Sequence, residues 1–280
     1  MNGKTEKNRK MIITDLDGTL LRDDRSYNAE DIATLEELGK QRVVRAIATG
    51  RNLYSAQKVI PPDFPIDYLI FSSGAGIMEW SRKHIEQAYH LDIEEIESVL
   101  SYLSDRSFDF IIQKPIPDNH LFLYFKNNHK NPDFERRLHY YKGFGEAGDR
   151  SRIELDAACQ FLVIEPWENG YERFTTLAAE LDHVKIVRTT SPLDHESFWI
   201  EIFPRHVSKA KGSEYVAERC NVNPDHIYAL GNDFNDLDLL HWAPYKYVVE
   251  NAREELKELF PVVSANNEAG FSRAVFYWLG

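Results

Sequence analysis

Cysteine and positive charge are both scarce in this sequence of 280 residues. The two cysteines, Cys159 and Cys220, have no metal-like spacing, which argues against a disulfide framework and favours a reducing compartment. Lysine and arginine together number 33 against 45 aspartates and glutamates, a formal net charge of −12. Nucleic acid is therefore not an expected partner, because a phosphate backbone is bound by a basic face. If this acidic protein binds phosphate, it must do so with a few placed groups.

Long apolar segments are also missing. The N-terminal residues MNGKTEKNRK are polar and lack the apolar segment of a signal peptide. No apolar run reaches the roughly 18 residues that are needed to cross a bilayer. We therefore predict a cytoplasmic protein that has no membrane partner and whose residues 1–10 form a disordered tail.

Short apolar runs alternate with amphipathic stretches over much of the chain. From Met11, the runs MIIT, VVRAIAT and YLIFSS are separated by helical patterns near residues 28–39 and 52–60. The alternation returns near the C-terminal end in HIYALG, YKYVVE and PVVS. Strands separated by helices of this length are typical of parallel sheets with right-handed crossovers. The pattern predicts a doubly wound parallel α/β core formed by residues 11–83 and 191–280.

The middle of the chain has a different pattern. A helix is predicted over DIEEIESVLSYLSDR, and two closely spaced strands, FDFIIQK and HLFLYFKN, follow it. Two strands joined by a loop favour an antiparallel sheet. We therefore predict that residues 84–190 form a separate α+β domain inserted into the core.

Two carboxylates stand at the end of the first apolar run, MIITDLDGTLL. Asp15 and Asp17 are one residue apart, although like charges repel and burial of a carboxylate is costly. A positive group must compensate them. Three further polar loops follow predicted core strands, and the carboxyl ends of such strands form the ligand crevice of doubly wound folds. These loops are Thr49-Gly50-Arg51, Ser72-Ser73-Gly74-Ala75 and GNDFND at residues 231–236.

Each loop alone is typical of a turn or a helix cap, but together they favour phosphate chemistry. A hard divalent cation such as Mg²⁺ can neutralise the paired aspartates, and a phosphate dianion can bridge to it. Lys209 offers a point charge, Thr49 offers a hydroxyl donor, and Gly18 and Gly50 let backbone amides approach closely. Such parts suit phosphoryl transfer, in which positioning and charge neutralisation supply most of the catalysis.

The segments DLDGTL, ATGR, VSKAKG and GNDFND, in this order, resemble the four motifs of the haloacid dehalogenase superfamily. The insert before Lys209 resembles the cap domain of the Cof-type sugar-phosphate phosphatases of that superfamily. The segments VVENA and NNEAG near the end resemble the closing motifs of the same family. The resemblance implies a doubly wound parallel sheet of the superfamily's type with an inserted α+β cap domain.

The resemblance also implies a role for each matching residue. Asp15 would be the nucleophile that forms an aspartyl-phosphate, and Asp17 would be the general acid and then the base that activates water. Asp236 would orient Lys209 or a water molecule on the metal. The implied Mg²⁺ ligands are the Asp15 carboxylate, the Asp17 backbone carbonyl and the Asn232 side chain. The implied phosphoryl-binding groups are Thr49, Gly50, Lys209, Asn235 and the backbone amide of Leu16.

The sequence departs from the family pattern at two positions. Gly-Asp is usual where this chain has Gly231-Asn232, so either the amide oxygen of Asn232 replaces a carboxylate ligand or the neighbouring Asp233 takes that place. The third motif usually reads Lys-Gly, whereas SKAKG contains both Lys209 and Lys211. We favour Lys209, because it follows the EIFPRHVS run at the spacing usual in the family.

The predicted function is that of a Mg²⁺-dependent phosphatase, a phosphoric monoester hydrolase acting on a small phosphorylated metabolite such as a sugar phosphate. A phosphomutase is one alternative, since it would use the same aspartyl-phosphate. The other is a catalytically weak sensor of phosphate esters, which the departure at Asn232 favours.

Overall fold

The computed structural model describes residues 9–127, 130–149 and 155–279. The chain divides into two compact units, one formed by Met1–Gln87 with Ser208–Gly280 and the other by Ala88–Val207. Of the predicted tail at residues 1–10, residues 1–8 lie outside the described ranges. Arg9 and Lys10 belong to the first strand, so the prediction of disorder is wrong for these two residues.

The described residues form strands and helices that we number in chain order. The strands are β1 (Arg9–Thr14), β2 (Val44–Ala48), β3 (Tyr68–Phe71), β4 (Gly76–Glu79), β5 (His84–Ala88), β6 (Phe110–Gln113), β7 (Phe122–Phe125), β8 (Gly145–Ala147), β9 (Gln160–Glu165), β10 (Val184–Thr190), β11 (Phe198–Pro204), β12 (Val222–Gly231), β13 (Tyr245–Val249) and β14 (Val262–Val263). The helices are α1 (Ala29–Lys40), α2 (Leu53–Ala56), α3 (Ile93–Asp105), α4 (Pro132–Tyr140), α5 (Trp167–Glu180), α6 (Lys209–Arg219), α7 (Leu237–Trp242), α8 (Glu254–Lys257) and α9 (Gly270–Leu279).

The first unit is built on an eight-stranded sheet in the order β14-β13-β12-β1-β2-β3-β4-β5. The neighbours from β14 to β3 run parallel, and β4 turns back antiparallel to β3. The apolar residues of β1 from Met11 onward are buried without alternation, as expected for a central strand covered on both faces. This confirms the predicted doubly wound parallel core.

The second unit has a six-stranded sheet in the order β10-β11-β9-β6-β7-β8. Its pairs are antiparallel except for β7 and β8, which run parallel. This is the predicted α+β insert.

The predicted second boundary of this insert, between residues 190 and 191, is wrong. β10 and β11 form a hairpin in which Val184 pairs with Pro204 and Thr190 pairs with Phe198. The connection is closed by Asp194, whose Oδ1 accepts hydrogen bonds from the backbone amides of Glu196 and Ser197. The boundary at 190 would separate two strands that are hydrogen-bonded along their whole length. The unit therefore ends at Val207, and its first residue is Ala88 rather than residue 84.

Alternate residues of the insert's strands point to opposite faces of its sheet. On β9, Phe161 and Val163 join an apolar cluster that includes residues of α3 and α5. Leu162 and Ile164 join a second cluster, to which α4 contributes Phe134. The sheet of the second unit is thus covered by helices on both faces.

Local side-chain caps fix several helix starts. Asn28 accepts a hydrogen bond from the Glu30 amide at the start of α1, and Ser208 accepts one from the Lys211 amide at the start of α6. Within the described ranges, no helix is long and apolar enough to cross a membrane.

Candidate active site

The four predicted polar loops meet at the carboxyl ends of the central strands of the first unit. Asp15 follows β1 directly, and its amide donates to the Leu230 carbonyl of β12 at 2.8 Å. A Cβ atom added at Gly50 would lie 3.4 Å from Asn235 Nδ2 and 3.6 Å from Ser73 Oγ. The loops after β2, β3 and β12 are therefore in contact with one another.

Lys209 joins the loops after β1 and β12. Its Nζ donates to Asp15 Oδ1 at 2.6 Å, to Asp236 Oδ1 at 2.6 Å and to Asn235 Oδ1 at 3.3 Å. Lys209 is 1% exposed and is the first residue of α6. Lys211 lies on the exposed side of the same helix, where its Nζ pairs with Glu214 at 2.6 Å. Of the two candidate lysines, only Lys209 contacts the predicted nucleophile.

One ammonium group, that of Lys209, contacts two carboxylates in this cluster, those of Asp15 and Asp236. Burial raises the pKa of Asp15 above its ordinary value, and the charges of Asp236 and Asp17 raise it further, while Lys209 opposes the shift. Burial acts to lower the pKa of Lys209, but the adjacent carboxylates raise it above its ordinary value. The lysine is thus held charged, and the carboxylates retain a surplus of negative charge.

Asp236 organises the loop from Gly231 to Asp236. It is fully buried, and its Oδ2 accepts hydrogen bonds from the amides of Asn232 at 2.8 Å and Asp233 at 3.1 Å. A Cβ atom at Gly231 would lie 2.6 Å from the Asp236 carboxyl carbon, so only glycine allows this turn. Asp236 thus binds the loop with one oxygen and Lys209 with the other.

Asn232 and Asp233 point to different surroundings. A Cβ atom at Gly18 would lie 2.5 Å from Asn232 Nδ2, which places the Asn232 side chain against the loop that follows Asp17. The Asp233 carboxylate caps the 3₁₀ turn Phe234–Asp236 and lies 3.8 Å from Arg253 Nε.

Asp17 is clamped by Arg51. The guanidinium donates from Nε to Asp17 Oδ2 and from Nη2 to Asp17 Oδ1, each at 2.7 Å. Arg51 directly follows Thr49 and Gly50, two predicted phosphoryl-binding residues. The Arg51 amide donates a hydrogen bond to Thr49 Oγ1 at 3.1 Å. No role was predicted for Arg51, although it belongs to the predicted loop Thr49-Gly50-Arg51, and its fork-shaped cation near a predicted acid could have indicated this contact.

Leu16 anchors the turn that follows Asp15. Its side chain is fully buried, and its carbonyl accepts hydrogen bonds from the amides of Thr19, Leu20 and Leu21. These three hydrogen bonds fix the turn that carries the chain from Asp15 past Asp17.

The closing motifs hold the same loop from the other side. Asn251 of VVENA donates to the Gly18 carbonyl at 2.8 Å and accepts from the Asn266 amide at 2.9 Å. Asn266 of NNEAG donates to the Leu21 carbonyl at 3.1 Å and to Asp23 Oδ1 at 2.9 Å. Three of these four contacts join positions more than 200 residues apart.

The donor set around Asp15 is suited to a hard cation. Burial raises the pKa of Asp15, and the charges of Asp236 and Asp17 raise that pKa further, so a divalent cation beside this carboxylate would favour its ionised form. Among the described residues, no group of three histidine, cysteine, aspartate or glutamate side chains is arranged to hold a metal. A metal site here would therefore need amide or backbone oxygens beside the carboxylate, and the predicted ligands of this kind are Asn232 and the Asp17 carbonyl.

Residues 12–275 match the family of haloacid dehalogenase-like hydrolases, so the chain belongs to that family. A 5-amino-6-(5-phospho-D-ribitylamino)uracil phosphatase of Bacillus subtilis is 25% identical over 281 residues, covering 92% of this chain and 94% of the relative. A phosphoglycolate phosphatase of Methanopyrus kandleri is 26% identical over 264 residues, covering 93% of each chain. These relatives support the predicted enzyme class, a phosphatase-type hydrolase.

Solved structures give the same fold. A haloalkanoate-superfamily phosphatase from Bacteroides thetaiotaomicron superposes with a TM-score of 0.77 at 20% identity, covering 99% of this chain and 98% of the other. A sugar phosphatase described as subclass IIB of the superfamily superposes with a TM-score of 0.73 at 17% identity, covering 96% and 98% of the two chains. The predicted family and fold class are confirmed.

Proposed function

We propose that the protein is a Mg²⁺-dependent phosphatase that hydrolyses a small phosphorylated metabolite, such as a sugar phosphate, by way of an aspartyl-phosphate on Asp15. The observation that carries the proposal is the buried cluster in which Lys209 contacts both Asp15 and Asp236 at 2.6 Å. A nucleophilic carboxylate next to a fixed ammonium group suits attack on a phosphorus atom, because the lysine offsets the repulsion between two anions.

In the first step, a carboxylate oxygen of Asp15 forms a bond to phosphorus and the bond to the leaving oxygen breaks. Asp17 donates a proton to that leaving oxygen. In the second step, water attacks the phosphorus of the aspartyl-phosphate while Asp17 accepts its proton. Inorganic phosphate leaves and Asp15 is regenerated.

The Arg51 clamp sets a condition on the proton transfer. Both oxygens of Asp17 accept hydrogen bonds from the guanidinium at 2.7 Å, as those of an ionised carboxylate do. Asp17 must therefore take up a proton from solvent and turn to the leaving oxygen after at least one of these hydrogen bonds breaks. The N–H group of Arg51 that is released can then contact an anionic oxygen of the substrate.

The phosphoryl group would be bound by Thr49, the backbone amides at Gly50 and Leu16, the Asn235 side chain and Lys209. The contacts between Gly50 and Asn235 support this grouping, since they bring the loops after β2 and β12 to one place. Asp236 would act by positioning Lys209 and the loop that carries Asn232.

Mg²⁺ would be held by the Asp15 carboxylate, the Asp17 backbone carbonyl and the Asn232 side chain. When bound, the ion would neutralise charge on the phosphoryl oxygens and on the aspartates. Asn232 is the better candidate for the third ligand than Asp233, because the Asp233 carboxylate caps a turn and faces Arg253.

The proposal is tested by a screen of phosphate monoesters with Mg²⁺, scored by release of inorganic phosphate. We expect Asp15→Asn to abolish turnover and to leave the melting temperature close to that of the wild type or above it, because the amide cannot attack but fills the same volume. Lys211→Met is the matched control, since Lys211 is exposed, and it should retain full activity. Turnover by a pure, metal-replete Asp15→Asn enzyme would remove Asp15 from the nucleophile role.

The same screen separates the alternatives. A phosphomutase would require a bisphosphate activator and would return the phosphoryl group to the substrate, whereas a phosphatase releases phosphate without one. A sensor would bind phosphate esters and release no phosphate from any of them.

The ligand assignment has its own test, in which Mg²⁺ is titrated against activity. Asn232→Ala should weaken Mg²⁺ binding by about tenfold, equivalent to about 1.4 kcal/mol, because it removes a ligand oxygen. Asp233→Ala is the comparison and should shift the midpoint much less. If only the Asp233 variant loses affinity for Mg²⁺, Asp233 is the ligand and Asn232 shapes the turn.

A further inference from the structure

A buried arginine in the second unit has no anionic partner among the described residues. Arg137 lies in the last turn of α4 and is 5% exposed, which is rare for an arginine that forms no ion pair. Its Nε has no hydrogen-bond partner. Across the parts of the chain that the structure describes, no carboxylate forms a salt bridge with its guanidinium.

Aromatic rings surround the Arg137 guanidinium instead. Its Cζ lies 3.9 Å from the ring centre of Tyr141, 4.9 Å from that of Trp199 and 6.0 Å from that of Phe122. Such rings attract the cation through their faces. The ring faces do not accept hydrogen bonds from the five N–H groups of the guanidinium. These groups lie in the guanidinium plane and remain suited to a forked contact with an oxyanion.

The neighbouring carboxylates are engaged by other groups. Asp133 is buried and accepts hydrogen bonds from Trp199 Nε1 at 2.7 Å and from Arg136 Nη1 at 3.2 Å. Asp194 accepts from the same Arg136 nitrogen at 3.0 Å. Arg136, which is half exposed, therefore has two carboxylate partners, while the buried Arg137 beside it has none within ranges 9–127, 130–149 and 155–279.

A charge that is buried without a counterion is costly, and removal from water is offset only by good hydrogen-bonded pairing. A structural role alone would be filled at lower cost by an apolar side chain of similar length. An anion from outside the chain that pairs with the Arg137 guanidinium would account for this buried charge. Tyr141, which covers the guanidinium, is only partly buried and lies just beyond the end of α4, so its movement would admit such an anion.

We propose that Arg137, with Tyr141 and Trp199, forms an oxyanion-binding site in the inserted domain that takes a carboxylate or phosphate group. That group belongs to a free effector anion, and the second experiment below would detect binding of an acidic group of the substrate in its place.

The first experiment measures binding by thermal unfolding, with sodium malonate as the probe and sodium chloride at equal ionic strength as the reference. Malonate at about ten times its dissociation constant should raise the melting temperature of the wild type and of Arg136→Met by about 2 °C or more. The rise should be absent in Arg137→Met, which keeps the length of the side chain without its charge. An equal rise in Arg137→Met, or no rise in the wild type, would overturn the proposal.

If Arg137→Met does not fold, Arg137→Lys replaces it in the same assay. Lysine keeps the charge but lacks the fork, so the malonate concentration that gives half of the rise should increase by about tenfold or more. An unchanged concentration would mean that the anion binds elsewhere.

The second experiment identifies the source of the anion and rests on the proposed phosphatase activity. It compares phosphoglycolate with ethylene glycol monophosphate, which has a neutral hydroxyl group in place of the carboxylate. Because the anion is a free effector, both esters should keep their KM in Arg137→Met, and only the malonate effect should be lost. A rise of about tenfold in KM for phosphoglycolate alone, with kcat unchanged, would assign the anion to the substrate and overturn the effector proposal. Absence of turnover in the wild type would count against the proposed function, while the thermal assay would still decide the anion site.

Discussion

Replacing Lys209 by methionine is the sharpest perturbation of the candidate active site, since it removes the only cation that contacts both Asp15 and Asp236 among the described residues. Methionine keeps most of the length of the side chain and removes the ammonium group. Removing one partner of a buried ion pair costs roughly 3–5 kcal/mol, because the other partner stays buried and uncompensated. We expect the lower end, about 3 kcal/mol, because the raised pKa of Asp15 lets that carboxyl take up a proton and relieve part of the repulsion.

The assay is urea unfolding followed by far-UV circular dichroism, together with phosphate release from a substrate found in the screen. Lys211→Met is the control, because Lys211 is 63% exposed in its side chain and pairs only with Glu214 on the same helix. That variant should have the same free energy of unfolding as the wild type, within experimental error, and should retain activity. The prediction is wrong if the free energy of unfolding of Lys209→Met lies within about 1 kcal/mol of that of the wild type. It also fails if the Lys211 variant loses as much activity as the Lys209 variant.

Three further substitutions test separate parts of the structure. Asp17→Asn should lower turnover by about 10²–10⁴-fold, and the loss should be smaller for aryl phosphates, whose leaving groups need less protonation; an equal loss for both would argue against Asp17 as the acid. Burial raises the pKa of Asp31 despite its hydrogen bonds from Ser272, so the folded protein favours the protonated carboxyl group. The contribution of Asp31 to the free energy of unfolding therefore falls as the pH rises through its folded-state pKa. The melting temperature of Asp31→Asn relative to the wild type should therefore increase as the pH rises above about 4, the ordinary pKa of an aspartate, and a flat difference would contradict this. Gly74→Ala should destabilise the protein by at least about 2 kcal/mol in urea unfolding. The reason is a positive φ of 105° together with a Cβ position 2.2 Å from the Ser208 carbonyl oxygen. Gly143→Ala, with a φ of 96° and no atom within 4 Å of the new Cβ, should cost clearly less.

The core of the fold could be predicted because its signals are local. Apolar runs such as MIIT end in polar loops, and the carboxyl ends of parallel strands lie on one edge of a sheet, so Asp15 and the loop from Gly231 were expected to meet. The choice between Lys209 and Lys211 also has a local basis. Residues two apart on a helix point to nearly opposite sides, so only one of them can contact the strand ends.

The boundary at residue 190 could not be predicted in this way. β11 is a buried run that reads like any core strand, and its membership of the second sheet depends on pairing with β10 and β9. Pairing of this kind is a tertiary property that a short pattern does not contain.

The side-chain contacts of the site were also beyond the sequence. The Arg51–Asp17 clamp joins residues 34 apart, and the contact of Asn251 with the Gly18 carbonyl joins residues 233 apart. Such contacts depend on rotamers and on the exact course of two loops, whereas the motifs indicate only that both loops are near the site. In the same way, the sequence does not indicate that Arg137 Nε lacks a hydrogen-bond partner among the described residues, because this depends on which side chains the fold places around it.

The charges of the site suggest why an amide at position 232 is compatible with phosphatase chemistry. Asp15, Asp17 and Asp236 bring three negative charges, and Lys209 and Arg51 bring two positive ones. A divalent ion would therefore change the local sum from one negative to one positive charge, and a phosphate dianion would enter a site that attracts it only after the metal has bound. A carboxylate at position 232 would cancel that surplus. If Asn232 is the third metal ligand, as proposed, its amide gives up part of the attraction for the metal and keeps a positive charge for the dianion, an exchange that favours phosphate binding in a protein whose net charge is −12.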